Sequence, residues 1–343
     1  MRRKVHITLD DIAQRLSVSR VTVSKALRGH PDISSEMTKK VRAIADELGY
    51  SPNIFARNLS ARRSQMMGLV VPKIAHYFFG SVIESVYNVA FENNYEIILM
   101  VSQENPERER KHIETLMSMR VDGIMVSISE HTRNFDVFRR VRSRGIPLVF
   151  VDRAPVPMPQ GFSSVVVDDR GGAFQATEQA IRIGHKKLAH LAGPQDVSIG
   201  REREEGFKEA LRAHGLPIRD EWIIEAGFGK EDGYRGFKRF YDSKNLPDFI
   251  FAVTYPVALG VYEAARDFGV RIPQDVDIMC FGDSDMHRFI SPSLSCVNQP
   301  TAELGRKAFQ LLLETIRHSD DFPAQHVRIK TDLIIRETCR GKI

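Results

Sequence analysis

The stretch Thr8-Leu-Asp-Asp-Ile-Ala-Gln-Arg-Leu-Ser-Val-Ser-Arg-Val-Thr-Val-Ser-Lys-Ala-Leu27 decides the architecture of the amino-terminal part of this chain. Thr8 is a good cap for a first helix, since Asp11 follows three residues later and favours the positive end of the helix dipole. Ser17-Val18-Ser19 interrupts the helical spacing of apolar residues, and Ser19 is a good cap for a second helix that runs to Leu27. The stretch therefore predicts two short helices joined by a tight turn.

A third helix is predicted directly after this pair. Gly29-His30-Pro31-Asp32 breaks the chain, Ser34 or Ser35 starts the next helix, and Gly49 ends it. Its apolar stripe consists of Val41, Ile44, Ala45 and Leu48. Two helices joined by such a turn, with a third behind them, form a helix-turn-helix, whose second helix enters the DNA major groove.

The outward side chains of the second helix suit DNA recognition. Arg20 offers a fork to a guanine edge, Val21 an apolar contact for a thymine methyl, and Lys25 a cation for a base or a phosphate. Ser19, Thr22 and Ser24 suit phosphate contacts. The alternative is a purely structural three-helix bundle.

The distribution of charge favours the DNA-binding hypothesis. Residues 1–63 hold 13 Lys+Arg and 6 Asp+Glu, a net charge of +7, whereas the remaining residues hold 36 and 38, a net charge of −2. The positive excess of the whole chain thus lies in its first fifth, which indicates a polyanionic partner for that segment alone.

The quoted stretch resembles the head of the LacI (lactose/purine repressor) family of bacterial regulators. Leu48-Gly-Tyr-Ser-Pro-Asn-Ile-Phe-Ala-Arg-Asn-Leu59 is similar to the helix end and hinge of that family, and weaker markers continue to about residue 337. The resemblance implies a homodimer that binds a pseudo-palindromic operator in double-stranded DNA. It also implies a hinge helix whose leucine, here Leu59, wedges into the minor groove. The DNA-binding residues expected on all these grounds are Thr8, Ser19, Arg20, Val21, Thr22, Ser24, Lys25, Asn53, Ala56, Arg57 and Leu59.

From Gly68 onward, short apolar runs alternate with amphipathic segments, which predicts parallel sheets with helices on both faces. The runs are Gly68–Val71, Tyr95–Val101, Gly123–Val126, Pro147–Val151, Leu188–Leu191, Phe249–Val253 and Asp277–Phe281. The family resemblance implies two such lobes with a cleft between them, similar to bacterial periplasmic sugar-binding proteins.

The expected organisation follows from these two parts. A small all-α helix-turn-helix head occupies residues 1–50, a hinge or linker residues 51–65, and an α/β two-lobed core residues 66–343. Lobe 1 is expected at about 66–165 and 296–326, and lobe 2 at about 166–295 and 327–343, with crossings near residues 165, 295 and 326.

Ligands of open α/β sheets bind beyond the carboxyl ends of the strands. This rule selects Ile74–Phe79, Ser102, Ser127–Ser129, Asp152-Arg153, Gly193–Gly200, Thr254-Tyr255 and Gly282–Asp285. The resemblance adds Phe78 and Phe79 as cleft-lining residues, Arg203 as a ligand clamp and Phe228 as an aromatic that packs on the ligand. The expected effector-binding residues are Phe78, Phe79, Asp152, Arg153, Arg203, Phe228, Tyr255 and Asp283.

Four of these assignments have a structural alternative. Phe78 and Phe79 are also suited to the core, Asp152 to pairing with Arg153, and Arg203 to a structural salt bridge. Arginine, carboxylates and aromatic rings together suit a polyhydroxylated sugar, so a carbohydrate effector is expected.

Two positions depart from the family pattern. Thr254-Tyr255-Pro256 stands where the family often has an Asp or an Asn-Asp pair, and Phe281-Gly282-Asp283 stands where Gly-Phe-Asp is common. The carboxylate at the second position has either moved to Asp283 or lost its role, and the specific sugar does not transfer across these changes.

Other classes of protein are disfavoured. The chain has 3 cysteines without a CxxC pair and histidines without metal-ligand spacing, so no metal, disulfide framework or cofactor is expected. It has no P-loop and no Gly-x-Ser-x-Gly elbow, which argues against an enzyme. The basic start lacks an apolar run, and no membrane-spanning stretch follows, so a cytoplasmic protein is expected.

The sequence therefore predicts a DNA-binding transcriptional regulator, expected to be a repressor, with DNA affinity controlled by a small molecule. Three rivals stay open: a ligand-binding protein with a vestigial head, a regulator controlled by a protein partner, and, most distantly, an enzyme. The sequence leaves open whether the effector releases DNA or secures it.

Overall fold

The structure is a computed structural model that describes residues 7–50, 63–75, 77–318 and 323–339. The chain divides into two compact units, with the boundary between Ser64 and Gln65. The smaller unit is the all-α head, and the larger is the α/β core.

The head consists of three helices: α1 (Leu9–Leu16), α2 (Arg20–Leu27) and α3 (Ser35–Glu47). Each begins after a hydroxyl cap, because the side chains of Thr8, Ser19 and Ser34 accept hydrogen bonds from backbone N–H groups in the first turn. Thr8 and Asp11 also form a reciprocal capping box. The turn between α1 and α2 is tight because Ser17 adopts a left-handed conformation with φ 53°.

Small and β-branched side chains form the core of the head. The fully buried ones are Ile12 on α1, Val23 and Ala26 on α2, and Val41 on α3. These residues occupy one face of each helix, and the opposite face of α2 is left to solvent. The predicted helix-turn-helix is confirmed in this arrangement.

The core unit contains two six-stranded sheets. The first has the strands β1 (Met66–Val71), β2 (Glu96–Val101), β3 (Gly123–Val126), β4 (Leu148–Val151), β5 (Ser163–Val167) and β11 (His326–Ile329), in the order β11-β5-β4-β3-β1-β2. The second has β6 (Leu188–Ala192), β7 (Ile223–Glu225), β8 (Phe249–Ala252), β9 (Asp277–Phe281), β10 (Ser295–Asn298) and β12 (Asp332–Ile334), in the order β12-β10-β9-β8-β6-β7. All pairs are parallel except β10 with β12.

Helices connect the strands and cover the sheets. They are α4 (Tyr77–Glu92), α5 (Pro106–Ser118), α6 (Asp136–Ser143), α7 (Asp169–Arg182), α8 (Ser198–Ala213), α9 (Lys230–Asp242), α10 (Tyr255–Asp267) and α11 (Thr301–Arg317), with short 3-10 turns at Asp220–Trp222, Asp285–Phe289 and Glu337–Cys339. The central strands β3, β4, β8 and β9 are buried along their whole length. Parallel strands covered on both faces are expected to be continuously apolar, which explains why the sequence runs identified them.

The chain crosses between the sheets a few residues later than predicted. β5 of the first sheet extends to Val167, beyond the predicted crossing near residue 165. β10 pairs with β9, so residues 296–298 belong to the second sheet. β11 pairs with β5, so residues 327–329 belong to the first sheet. The predicted lobe assignment of these short segments was wrong, because strand pairing decides it and the segments carry no distinctive apolar run. Among the described residues, no helix is long and apolar enough to cross a membrane.

Candidate functional site

The reader face of the head, which we define as Arg20, Val21, Thr22, Ser24 and Lys25, lies on the solvent side of α2. The side chain of Arg20 is 66% exposed, and Val21 is 63% exposed although it is apolar. Thr22, Ser24 and Lys25 are half-buried. An exposed valine between two basic side chains at the first turns of such a helix offers both apolar and charged contacts to a groove.

The basic side chains of the reader face have exchangeable partners. Lys25 Nζ lies 2.9 Å from Asp32 Oδ2, and Arg20 Nη1 lies 3.6 Å from Asp10 Oδ2. The hydrogen bond from Lys25 lowers the pKa of the Asp32 carboxyl. Exposed ion pairs of this kind contribute little to stability, so a DNA phosphate or base edge can replace the carboxylates at small cost.

Two of the predicted DNA-binding hydroxyls are already used as caps. The Thr8 hydroxyl donates to Asp11 Oδ2 at 2.7 Å, and the Ser19 hydroxyl accepts from the Thr22 N–H at 3.0 Å. Both residues are exposed, so their remaining hydrogen-bonding capacity faces solvent. Asn53, Ala56, Arg57 and Leu59 lie outside the described residues.

A cavity of about 360 Å³ lies in the core unit at the carboxyl ends of strands from both sheets. Seven of the eight predicted effector-binding residues line it: Phe78, Phe79, Asp152, Arg153, Arg203, Tyr255 and Asp283. The size is within the range of small-ligand sites, which is roughly 300–1,000 Å³. Phe228 does not line the cavity; its ring lies below Arg153, whose guanidinium carbon is 4.5 Å from the ring centroid.

Aromatic rings give the cavity an apolar wall. Phe78 and Phe79 meet edge to face with centroids 5.1 Å apart, and Phe79 is buried whereas Phe78 is half-buried. Phe281 also lines the cavity and stacks under Arg203, whose guanidinium carbon lies 3.7 Å from its centroid. Ring faces of this kind pack well against the C–H face of a sugar.

Arg153 is held by a carboxylate but keeps one unused donor. Its Nη1 donates to Glu104 at 2.9 and 3.1 Å. Its buried Nε has no hydrogen-bond acceptor within the described residues, since Asp152 Oδ2 is 3.9 Å away. An arginine fixed in this way presents a directed donor near the cavity without presenting a free charge.

Asp152 is a buried carboxyl in a left-handed backbone conformation, with φ 62°. Burial raises its pKa to about 7, and the nearby Arg153 and Arg203 oppose that rise. The side chain is thus close to the balance between its protonated and ionised forms at neutral pH.

Arg203 is the most buried charged residue of the cavity wall, at 2% exposure. Its Nε and Nη2 bond Asp169 Oδ1 at 2.8 and 2.7 Å, and its Nη1 donates to the Val253 carbonyl at 2.6 Å. The structural salt bridge that the sequence left as an alternative is therefore present, and the residue lines the cavity as well.

Tyr255 and Asp283 occupy the two positions that depart from the family pattern. The buried Tyr255 hydroxyl makes no hydrogen bond of normal geometry within the described residues, although Ser284 is near enough to lower its pKa against the larger effect of burial. Asp283 forms a two-point pair with Arg336, with distances of 2.9 and 2.6 Å. Burial opposes ionisation of Asp283, but the hydrogen bonds from Arg336 outweigh it and lower its pKa. Asp283 is therefore held by the protein, whereas Tyr255 is not.

The sequence missed several residues of the wall, among them Leu259, Gln299 and Met286. Leu259 lies one turn inside α10, so its position depends on helix packing. Gln299 directly follows β10, and the same carboxyl-end rule would have selected it if that strand had been recognised. Ser102 and Ser129, which the rule did select, bond each other at 2.8 Å and do not line the cavity.

The side-chain contacts between the lobes include two at the surface. The Tyr77 hydroxyl at the start of α4 donates to Asp285 at 3.0 Å, and Arg133 Nε lies 2.8 Å from Asp196 Oδ2. Both contacts are solvent-exposed, so they are weak enough to open.

Two family models match the sequence. Residues 8–53 match bacterial regulatory proteins of the lacI family, and residues 177–339 match a periplasmic binding protein-like domain. The first match covers the head with its reader face, and the second covers all six strands of the second sheet.

Relatives match over nearly the full length of the chain. The chain is 32% identical over 339 residues to the transcriptional repressor PurR of Haemophilus influenzae (strain PittEE). The alignment covers 97% of this chain and 99% of PurR. The cellobiose complex of the transcriptional regulator CelR is 28% identical, with a TM-score of 0.74 and coverage of 97% and 100%. A lac repressor dimer bound to operator and the anti-inducer ONPF has a TM-score of 0.84 at 21% identity, with coverage of 97% and 99%, and shows the shared fold.

Proposed function

The chain belongs to the LacI family of bacterial regulatory proteins, and from this premise we propose that it represses transcription by binding a specific DNA sequence under the control of a small neutral sugar. The reader face on α2 binds the DNA, and the cavity of the core binds the sugar. The main support for this proposal is that one chain contains both the reader face on α2 and the ligand cavity of the core.

The reader face supports sequence-specific binding. Arg20 and Lys25 supply charge, and the exposed Val21 supplies an apolar contact that has no role in the core of the head. Phosphate contacts give affinity and base contacts give specificity, and this face offers both. The hinge residues Asn53, Ala56, Arg57 and Leu59 complete the proposed DNA-binding set.

The electrostatics of the cavity support an uncharged ligand. Arg153 pairs with Glu104, Arg203 pairs with Asp169, and the pair between Arg336 and Asp283 lies beside them. Each arginine of the described wall is thus already matched by a carboxylate, and no cation is left over for a phosphate or carboxylate group. Tyr255 Oη and Arg153 Nε are left to hydrogen-bond a neutral polar ligand, and the aromatic wall packs on its apolar face.

Regulation is proposed to work through the angle between the lobes. The sugar bridges residues of both lobes, so it favours one closure state over another. In a homodimer on a pseudo-palindromic operator, closure alters the spacing of the two hinges and so the affinity for DNA. The protein is proposed to act in the cytoplasm, where bacterial DNA lies, and to have no enzymatic activity.

Selection of bound DNA from a random pool tests the first half of the proposal. The full chain is expected to enrich a pseudo-palindromic sequence. Lys25→Ala should then lose about 1–3 kcal/mol of preference for that sequence if Lys25 reads a base. Lys40→Ala is the matched control, because Lys40 is also a lysine of the head in an ion pair, 2.7 Å from Glu36, but lies on α3.

The control variant is expected to keep the selected preference. The full chain could instead enrich no sequence at low salt, either with or without a mixture of metabolites. That result would favour the rival hypothesis of a ligand-binding protein with a vestigial head. Equal preference in the wild type and Lys25→Ala would remove Lys25 from the reading residues.

A further inference from the structure

Three metal-ligating side chains that are far apart in the sequence meet in the second sheet of the core unit. His185, Asp277 and Cys339 each offer one ligand atom, and these atoms all lie within 4.8 Å of one another. All three residues are buried, with exposures of 6%, 6% and 0%. They are the only such group of three or more His, Cys, Asp and Glu found among the described residues.

The position of the cluster separates it from the ligand cavity. His185 precedes β6, and Asp277 is the first residue of β9, so both lie at the amino ends of parallel strands. The cavity lies beyond the carboxyl ends of the strands, where Tyr255 and Asp283 follow β8 and β9. Cys339 ends the last 3-10 turn of the described chain. The cluster therefore belongs to neither the DNA surface nor the sugar site.

His185 has a carboxylate near each of its two ring nitrogens. Its Nε2 lies 2.9 Å from Asp277 Oδ2, and its Nδ1 lies 3.6 Å from Asp248 Oδ1. Asp248 is fixed in turn by the backbone N–H groups of Lys186 and Lys187, at 3.2 and 2.9 Å. A carboxylate behind the second ring nitrogen, itself held by further hydrogen bonds, is the usual outer support of a histidine ligand.

The charges of the cluster also favour a cation. Two carboxylates, those of Asp277 and Asp248, face the one imidazole of His185. A divalent ion would convert the Cys339 thiol to a thiolate, and the charges of the ion, the thiolate and the Asp277 carboxylate would then cancel.

We propose that His185 Nε2, Asp277 and Cys339 Sγ bind a structural zinc ion. A nitrogen, an oxygen and a sulfur ligand together suit Zn²⁺, whose tetrahedral geometry leaves one position for water or the second carboxylate oxygen of Asp277. The ion fastens the turn Glu337–Cys339 to the start of β6 and β9. The expected effect is on the stability of the second lobe and not on the chemistry of the ligand cavity.

Cobalt substitution tests the site in the full-length protein. After treatment with a chelator, addition of Co²⁺ at mildly alkaline pH is expected to produce a sulfur-to-cobalt charge-transfer band that saturates at one ion per chain. The alkaline condition matters because the metal must displace protons from His185 and Cys339. Zinc is expected to abolish the band by competition.

Two variants assign the band to the cluster. Cys339→Ser should abolish it, and Asp277→Asn should weaken cobalt binding at least tenfold while keeping the side-chain shape. Cys296→Ser is the matched control, because Cys296 is also a buried thiol of the second sheet but lies on β10 outside the cluster. A band that is absent from the wild type, or that survives Cys339→Ser, would overturn the proposal.

Thermal unfolding gives a second readout that does not depend on DNA or sugar binding. Zinc at about 100 times its dissociation constant should raise the Tm of the wild type by roughly 5–10 °C. The same zinc should raise the Tm of Cys296→Ser equally and leave that of Cys339→Ser unchanged. A wild-type Tm that does not respond to zinc would contradict the structural role, whatever the outcome of the DNA selection.

Discussion

At the scale of single residues, Tyr255 is the most informative side chain of the ligand cavity. Its buried hydroxyl makes no hydrogen bond of normal geometry within the described residues, and such a group costs stability unless a ligand satisfies it. We expect Tyr255→Phe to weaken binding of the sugar by roughly 5- to 30-fold, equivalent to about 1–2 kcal/mol. Calorimetric titration measures this loss, and unfolding experiments should show stability unchanged or slightly increased.

Tyr262 provides the control on the same helix. Its hydroxyl donates to the Pro292 carbonyl at 2.8 Å, and it does not line the ligand cavity. Tyr262→Phe should therefore lower the free energy of unfolding by about 1 kcal/mol and leave sugar affinity unchanged. The opposite pattern, with affinity lost in Tyr262→Phe and kept in Tyr255→Phe, would show that the ligand lies elsewhere.

Asp152 predicts a pH dependence whose sign follows from its pKa. The folded-state pKa of about 7 lies above the unfolded value of 3.8, so ionisation of Asp152 destabilises the fold. The penalty is small near about pH 4, grows as the pH rises to about 7, and is constant above that. Relative to the wild type, Asp152→Asn should gain roughly 2–4 kcal/mol of stability between about pH 4 and about pH 8. Asparagine also tolerates the left-handed backbone at this position.

Denaturant unfolding at several pH values measures the difference between the two proteins. Asp242→Asn is the control, because Asp242 is an exposed carboxylate at the end of α9, 2.6 Å from Lys238. Its curve of stability against pH should run parallel to that of the wild type. If the Asp152→Asn curve is parallel too, Asp152 titrates as an ordinary carboxyl and the account of its burial is wrong.

Several cavity residues could be predicted from the sequence because they directly follow recognisable strands. Asp152, Arg153 and Tyr255 come immediately or almost immediately after a continuous apolar run, so the carboxyl-end rule located them. Phe228 was predicted from the family resemblance alone, and its ring lies under Arg153, outside the lining of the cavity. The cluster of His185, Asp277 and Cys339 could not be predicted, because its members are widely separated in sequence and only the sheet brings them together.

At the scale of elements, the packing of α9 against α10 positions the cavity wall. A Cβ at Gly260 would lie 1.9 Å from the Lys230 carbonyl oxygen, so the two helices approach closely only with glycine at this position. Gly260→Ala should destabilise the core by about 1–3 kcal/mol or more. It should also weaken sugar binding, because α10 carries Tyr255 and Leu259 into the cavity.

A second glycine provides the contrast. Gly80 in α4 has no atom within 4 Å of an added Cβ and has no left-handed φ. Gly80→Ala should therefore stabilise the protein by about 0.5–1 kcal/mol, because glycine inside a helix costs conformational entropy. Denaturation midpoints of the two variants should move in opposite directions. A tolerated Gly260→Ala would mean that the helices are further apart than described.

Elements with strong local signals could be predicted, and those without them could not. The three helices of the head follow from the caps Thr8, Ser19 and Ser34, whose hydrogen bonds involve only neighbouring residues. The strands β5 and β10 were missed, since Ser163, Ser164 and Ser295 dilute their apolar pattern and pairing with neighbouring strands defines them. Missing these strands also caused the errors in the lobe boundaries.

At the scale of the whole molecule, the core repeats one strand order in two sheets. Numbered along the chain, the first strand of each sheet lies between the second and the third strand of that sheet. The fourth and fifth strands follow beyond the third, and the last strand of the sheet along the chain forms the edge next to the fifth. The ligand cavity takes walls from both sheets, and the weak contacts Tyr77–Asp285 and Arg133–Asp196 cross the cleft. This arrangement allows a ligand to favour one separation of the lobes over another.

Sugar and DNA are proposed to bind at separate sites of one chain, and each is expected to alter the affinity for the other. The dissociation constant of the selected DNA is measured at increasing concentrations of the neutral sugar that, within a panel of mono- and disaccharides, stabilises the protein most. Coupling should change DNA affinity by roughly 5- to 150-fold at saturation. In Tyr255→Phe, the sugar concentration at which half of the change in DNA affinity is reached should rise. The factor should equal the loss of sugar affinity in this variant. If DNA affinity stays constant while the sugar demonstrably fills the cavity, the two sites are independent and the account is contradicted.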